Sequence, residues 1–215
     1  VPHRPALAGA LGKPIVHASE LLPEHVEPGL RVLVVGAGNS GADTVRHCLA
    51  RGAVVTLSAR SAPPRPLLDL SALLTRVAQR LAAAPIWFLP GRAGCQDRTP
   101  LAGSDLHDAI ASGRLAHVGR TVGFEPGLAV TQDDERVPTA LVVLCTGYRR
   151  EVAWLSPSVT TDSLSGFPKQ RAGLSTEVPQ IGFVGVPCQR TRRSGFLRGF
   201  QDDAEGIVSA LKRHA

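Results

Sequence analysis

The sequence contains no methionine, a single tyrosine and two tryptophans, and aromatic residues make up only 4% of it. So few ring faces argue against a stacking platform for single-stranded nucleic acid. No run of 18 or more apolar residues occurs, so no stretch is a candidate for spanning a bilayer as a helix. The first 30 residues are broken by prolines and charges and lack the apolar centre of a secretory signal. There are four cysteines, at 48, 95, 145 and 188, and no two form a C-x-x-C pair. That spacing speaks against zinc, a thioredoxin-like redox pair and a disulfide scaffold, and makes reduced thiols the expectation. A cytoplasmic location, no metal and no membrane partner are expected. With no methionine and Val1 as its first residue, the expectation is either that the start has been removed or that the chain is a piece of a longer product.

The formal charge is +6, but the arginines are spread along the chain. Their one dense cluster is "QRTRRSGFLR" at 189–198. A solvated basic surface that favours anionic ligands explains this better than nucleic-acid binding. At 43% hydrophobic over 215 residues there is ample material for a packed core, in one large domain or two small ones.

Along the chain, residues 1–30 are proline-rich and irregular, with one short strand expected at Pro14–His17. Arg31–Val35 is a continuous apolar run of the kind buried on both faces in a parallel sheet. Asn39 to Arg51 has helical spacing at Ala42, Val45 and Leu49, and Ala53–Ser58 is a second strand. A loop at 62–66 and a helix over 70–81 follow, and then an ambiguous apolar "IWFLPG" at 86–91. Ser104 can cap a short helix running to Ser112. "RLAHVG", "TVGFE" and "LAVT" read as strands, with "QDDER" as a hairpin tip, and Ala140–Cys145 as another buried strand. A last strand is expected at 181–186 and a last helix at Asp202–Arg213, with Asp202 and Asp203 favouring its dipole. The alternation gives an α/β fold with a mainly parallel sheet.

The chemistry is concentrated in "RVLVVGAGNSG" at 31–41. Gly36, Gly38 and Gly41, with Asn39 and Ser40 between, form G-x-G-x-x-G after a strand and at the start of a helix. That is the context in which the motif binds a dinucleotide pyrophosphate. Gly36 permits the tight turn, Gly38 lets phosphate approach the backbone, and Gly41 lets helix and strand pack closely. The helix start adds free N–H groups and a positive dipole end. An NAD or FAD site would place an acid at the end of the second strand. Here no acid occurs between Asp43 and Asp69, and the strand runs into Ser58-Ala-Arg60-Ser61. A guanidinium with two hydroxyls suits a 2′-phosphate, so NADPH is expected over NADH. The plain alternative is that Arg60 is an ordinary surface arginine.

Residues 31–61 resemble the second, NADPH-binding Rossmann motif of flavin-dependent monooxygenases, in which an NADPH domain is inserted into a split FAD domain. "PIVHASEL" at 14–21 is similar to the segment before that motif. "LVVLCTGYRREVAWL" at 141–155 resembles the strand that returns to the FAD domain, and "IGFVGVP" with "GFLRGFQDDAEGIVSAL" resembles that domain's last strand and helix. The resemblance implies 1–30 as tail of the FAD domain, 31–140 as NADPH domain and 141–215 as the C-terminal part of the FAD domain. It also implies Thr146 and Gly147 as cofactor contacts, and a flavin facing Gly185 and the helix after Phe200. Two features depart from the pattern. The family's first G-x-G-x-x-G, for FAD, is absent, so FAD would be held mainly by a missing N-terminal half. The signature F-x-G-x-x-x-H-x-x-x-[FWY], set on His17, finds Leu11, Lys13 and Leu21 at its other positions.

The activity implied is hydride transfer from NADPH to FAD, then O2 activation and oxygenation of a small-molecule substrate. The nicotinamide and flavin carry that chemistry, and no catalytic side chain is assigned. Two alternatives stay open: a pyridine nucleotide-disulfide reductase-like enzyme, and a truncated NADPH-binding module without activity. "IGFVGV" and "ALVVLC" are expected to expose sheet edges, which would promote aggregation or a homo-oligomer.

Overall fold

In the computed structural model, residues 1–61, 105–155, 157–163, 165–191 and 193–214 are described. The expected loop at 62–66, helix at 70–81, apolar stretch at 86–91 and cap at Ser104 lie outside them. The described residues fall into two compact units, 1–61 with 105–149, and 150–214.

The first unit is built on β1 (Ala8–Gly9), β2 (Ile15–His17), β3 (Arg31–Val35), α1 (Asn39–Ala50), β4 (Val54–Ser58), α2 (Asp105–Ala111), β5 (Ala116–Val118), β6 (Thr121–Glu125), β7 (Leu128–Thr131), β8 (Arg136–Pro138) and β9 (Leu141–Leu144). Five of the strands form a parallel sheet in the order β2-β9-β3-β4-β5. A second sheet, β1-β6-β7-β8, is antiparallel except for the β1–β6 pair. This is a Rossmann-type α/β fold.

Strand alternation decides which layer each residue serves. Val32, Val34, Val55, Leu57, Leu141 and Val143 point to one face of the parallel sheet and pack with Ala42, Val45 and Cys48 of α1 and Leu106 and Ala109 of α2. Leu33, Val142 and Leu144 point to the other face and pack with Phe124, Ala129 and Val137 of the second sheet. Both faces are covered, which is why β3 and β9 read as unbroken apolar runs.

The parallel sheet includes residues 15–17 and 141–144 as well as strands within 31–140. One expectation about its edges is corrected. β9 is paired on both sides, by β2 and β3, so "ALVVLC" exposes no sheet edge. Strand periodicity shows that a run is buried but not which neighbours bury it.

The second unit holds β10 (Gln170–Arg171), β11 (Leu174–Ser175) and α3 (Leu197–His214). The expected strand at 181–186 does not form: Gly182 makes a single bridge to Leu174. Gly185 then adopts a φ of +87°, a left-handed conformation that ends the extension. α3 starts five residues earlier than expected, so Asp202 and Asp203 are not in its first turn. Asp203 is instead buried, with its carboxylate 4.0 Å from the Arg190 guanidinium. Burial pushes its pKa up, against the opposing pull of Ser194 and Arg190. Cys188 also departs from the expectation of reduced thiols, since it is disulfide-bonded.

Cys48 and Cys145 are free and buried in the first unit, and the Cys145 thiol donates to the Thr44 hydroxyl at 3.4 Å. Burial, reinforced by the neighbouring Cys145, pushes the Cys48 thiol up to about 11. The proton is therefore held more tightly in the folded state than in the unfolded chain. The resulting stability is present below the ordinary thiol range and is lost as pH rises towards 11. About 2–3 kcal/mol should disappear over that interval. Urea melts at pH 8 and pH 11, compared between wild type and Cys48→Ala, should show a smaller loss in the variant. An equal loss in both would remove Cys48 as its source.

Candidate functional site

A parallel sheet exposes the carboxyl ends of its strands to ligands at the point where the strand order reverses. Here that point lies between β3, whose chain continues through α1 to β4, and β9 on its other side. The sequence-predicted residues converge there. Gly36 follows β3, Thr146 and Gly147 follow β9, and Ser58, Arg60 and Ser61 end or follow β4. The Gly36 N–H donates to the Ser58 carbonyl at 2.9 Å, which joins the glycine turn to the end of β4.

The three glycines differ in what surrounds them. Gly36 has a φ of +113°, and a Cβ there would overlap the Cys145 carbonyl. A Cβ on Gly41 would overlap the Gly36 carbonyl. Both are therefore filled by the fold itself. Around Gly38 nothing lies within 4 Å of the position a Cβ would take, and its φ of −79° is one any residue adopts. The space beside Gly38 is a cradle at the start of α1. No side chain caps this helix and no acid stands in its first turn, so its N–H groups and positive dipole end are uncompensated. These residues fit a dinucleotide pyrophosphate.

Arg60 and Ser61 are exposed, while Ser58 departs from its expected role as a ligand contact. It is 1% exposed, its hydroxyl donates to the Gly119 carbonyl at 2.9 Å, and it accepts from the Thr121 N–H at 2.9 Å. The Thr121 hydroxyl lies 2.7 Å away. One donor and two acceptor positions are all a serine hydroxyl has, and all are used. No sequence signal announces this, because Thr121 lies 63 residues away.

Thr146 is held by its hydroxyl donating to the His3 carbonyl. Gly147 is exposed with a φ of +77°, and its carbonyl accepts from His3 N–H at 2.9 Å and from His17 Nε2 at 3.1 Å. His17 is 1% exposed. Its Nδ1 accepts from Ser19 N–H at 3.2 Å and lies 2.8 Å from the Ser19 hydroxyl. With both ring nitrogens engaged, His17 is a tie between the end of β2 and the turn after β9.

The family model for L-lysine 6-monooxygenase/L-ornithine 5-monooxygenase matches residues 1–80. An uncharacterized CzcO-like oxidoreductase of Geobacillus kaustophilus is 27% identical over 219 residues, covering 99% of this chain and 62% of its own length. The chain is similar to flavin-dependent monooxygenase-like oxidoreductases. Two solved structures share its fold. The flavin-containing monooxygenase from Stenotrophomonas maltophilia has a TM-score of 0.69 at 20% identity, covering 100% of this chain and 60% of that one. The ornithine hydroxylase PvdA from Pseudomonas aeruginosa has a TM-score of 0.64 at 17% identity, covering 99% and 60%. The chain thus spans about three-fifths of the length of these relatives. Among the described residues no helix is long and apolar enough to cross a membrane, and no group of three or more His, Cys, Asp or Glu is placed to hold a metal.

Proposed function

We propose that this chain binds NADPH at the turn between β3 and α1 and serves as the NADPH-binding portion of an FAD-dependent monooxygenase-like oxidoreductase. The observation that carries the reading is the contrast among the three glycines: two are filled by their own fold, and the third opens on empty space at an uncapped helix start. Gly38 and the N–H groups of Asn39, Ser40 and Gly41 receive the pyrophosphate. Arg60 and Ser61 receive the 2′-phosphate, and Thr146 and Gly147 border the same crevice. Residues 150–214 are read as the C-terminal part of the FAD domain, and the rest of the FAD site is assigned to protein outside this chain. When bound, NADPH supplies the hydride and FAD accepts it ahead of O2 and a small-molecule substrate. The protein's own part is to bind, orient and shield these groups from water.

The test is the nucleotide preference of Arg60→Ala. Titration should show NADPH weakened roughly tenfold or more, the loss of a charge-assisted pair, with NADH within about twofold of wild type. Equal weakening of both nucleotides would sink the 2′-phosphate role.

A further inference from the structure

We propose that Arg120 is a second 2′-phosphate-binding guanidinium, paired with Arg60 across two neighbouring strand ends; this rests on the NADPH reading above. The argument starts from register. β4 and β5 are parallel, with Thr56 opposite Ala116, Leu57 opposite His117 and Ser58 opposite Val118. The Ala59 N–H continues the ladder to the Val118 carbonyl at 3.2 Å. Parallel strands advance equally per residue and lie about 4.8 Å apart. Arg60 and Arg120 each stand two residues past the last registered pair, so both follow the same edge of the sheet.

The backbone of Arg120 is fixed from three directions. The Ser58 hydroxyl holds Gly119 on one side of it and Thr121 on the other. The Arg120 carbonyl accepts from the Gln132 N–H at 2.8 Å. Ser58 is thus a positioning residue for Arg120, and this gives its buried, saturated hydroxyl a use that its absence from the ligand surface had removed.

Both arginines are exposed, and among the described residues neither guanidinium makes a hydrogen bond or ion pair. Arg4, Arg46 and Arg136 of the same unit are each paired with a carboxylate. One carboxylate, that of Asp133, lies against Gly119, so two cations and one anion border the strand ends. A dianionic monoester is the ligand that this excess of positive charge suits, and two guanidiniums can each present paired N–H groups to it.

The experiment measures binding of 2′,5′-ADP and 5′-AMP, which differ only in the 2′-phosphate, to wild type, Arg120→Ala, Arg120→Lys and Ser58→Ala. Arg120→Ala should weaken 2′,5′-ADP roughly tenfold and leave 5′-AMP within about twofold, while Arg120→Lys, which keeps the charge but not the paired N–H groups, should fall between Arg120→Ala and wild type. Ser58→Ala should lower the ratio of the two affinities in the same direction; an unaltered ratio removes Ser58 from the arrangement. If Arg120→Ala changes neither ligand, or weakens both alike, Arg120 does not read the 2′-phosphate, and the NADPH site stands without it. If wild type does not distinguish the two nucleotides, the NADPH reading and this inference fall together.

Discussion

Gly41→Ala should cost at least ~2–3 kcal/mol of stability, because the added methyl has no room against the Gly36 carbonyl. Both partners are main chain at the junction of β3 and α1, so relief requires the helix to shift away from the sheet. Gly38→Ala, three residues earlier, should leave the melting temperature nearly unchanged. Its backbone conformation suits alanine and nothing stands within 4 Å of the new methyl, so only the poorer N-cap residue counts, at about 1 kcal/mol or less. The same methyl should nonetheless weaken NADPH at least ~tenfold by occupying the space the phosphate needs. Thermal melts and nucleotide titrations on the two variants form a crossed test. A Gly38→Ala protein with wild-type affinity would place the phosphates elsewhere.

His17→Ala should cost about 3 kcal/mol, the sum of a lost buried ring and hydrogen-bonding groups left without partners. The Gly147 carbonyl would lose its Nε2 donor, and the Ser19 N–H its Nδ1 acceptor. The segment after β2 would then separate from the turn after β9. NADPH affinity measured well below the lowered melting temperature should stay within about threefold of wild type. That outcome identifies a structural histidine. A variant that keeps its stability and loses the nucleotide would make His17 a ligand contact instead.

These two expectations draw on different depths of the sequence. The glycine turn was legible in full, because the motif is local: its three glycines, the strand before and the helix after lie within 20 residues. Arg60 drew attention through an equally local signal, the run without acids that leads to it. His17 drew attention only through the resemblance of its segment, and its hydrogen bonds reach Gly147, 130 residues on. Nothing in spacing or periodicity connects those positions.

Ser58 shows the limit most clearly. Beside Arg60 in sequence it reads as one more polar group for the phosphate. In the fold it faces inward, because strand alternation sends it to the face opposite Leu57, where Gly119 and Thr121 use up its hydroxyl. "IGFVGV" failed as a strand for a related reason: a β-rich composition needs a partner edge, and Gly185 turns away after one bridge.

By itself the sequence determined the α/β class, the strand–glycine turn–helix at 31–50 and the absence of an acid after β4, all properties of stretches shorter than about one βαβ unit. Tertiary structure alone decided that β9 is interior and that Ser58 and His17 are ties. Each of these depends on a partner far along the chain, and such pairings are set by how whole faces of the sheet are covered, not by any local pattern.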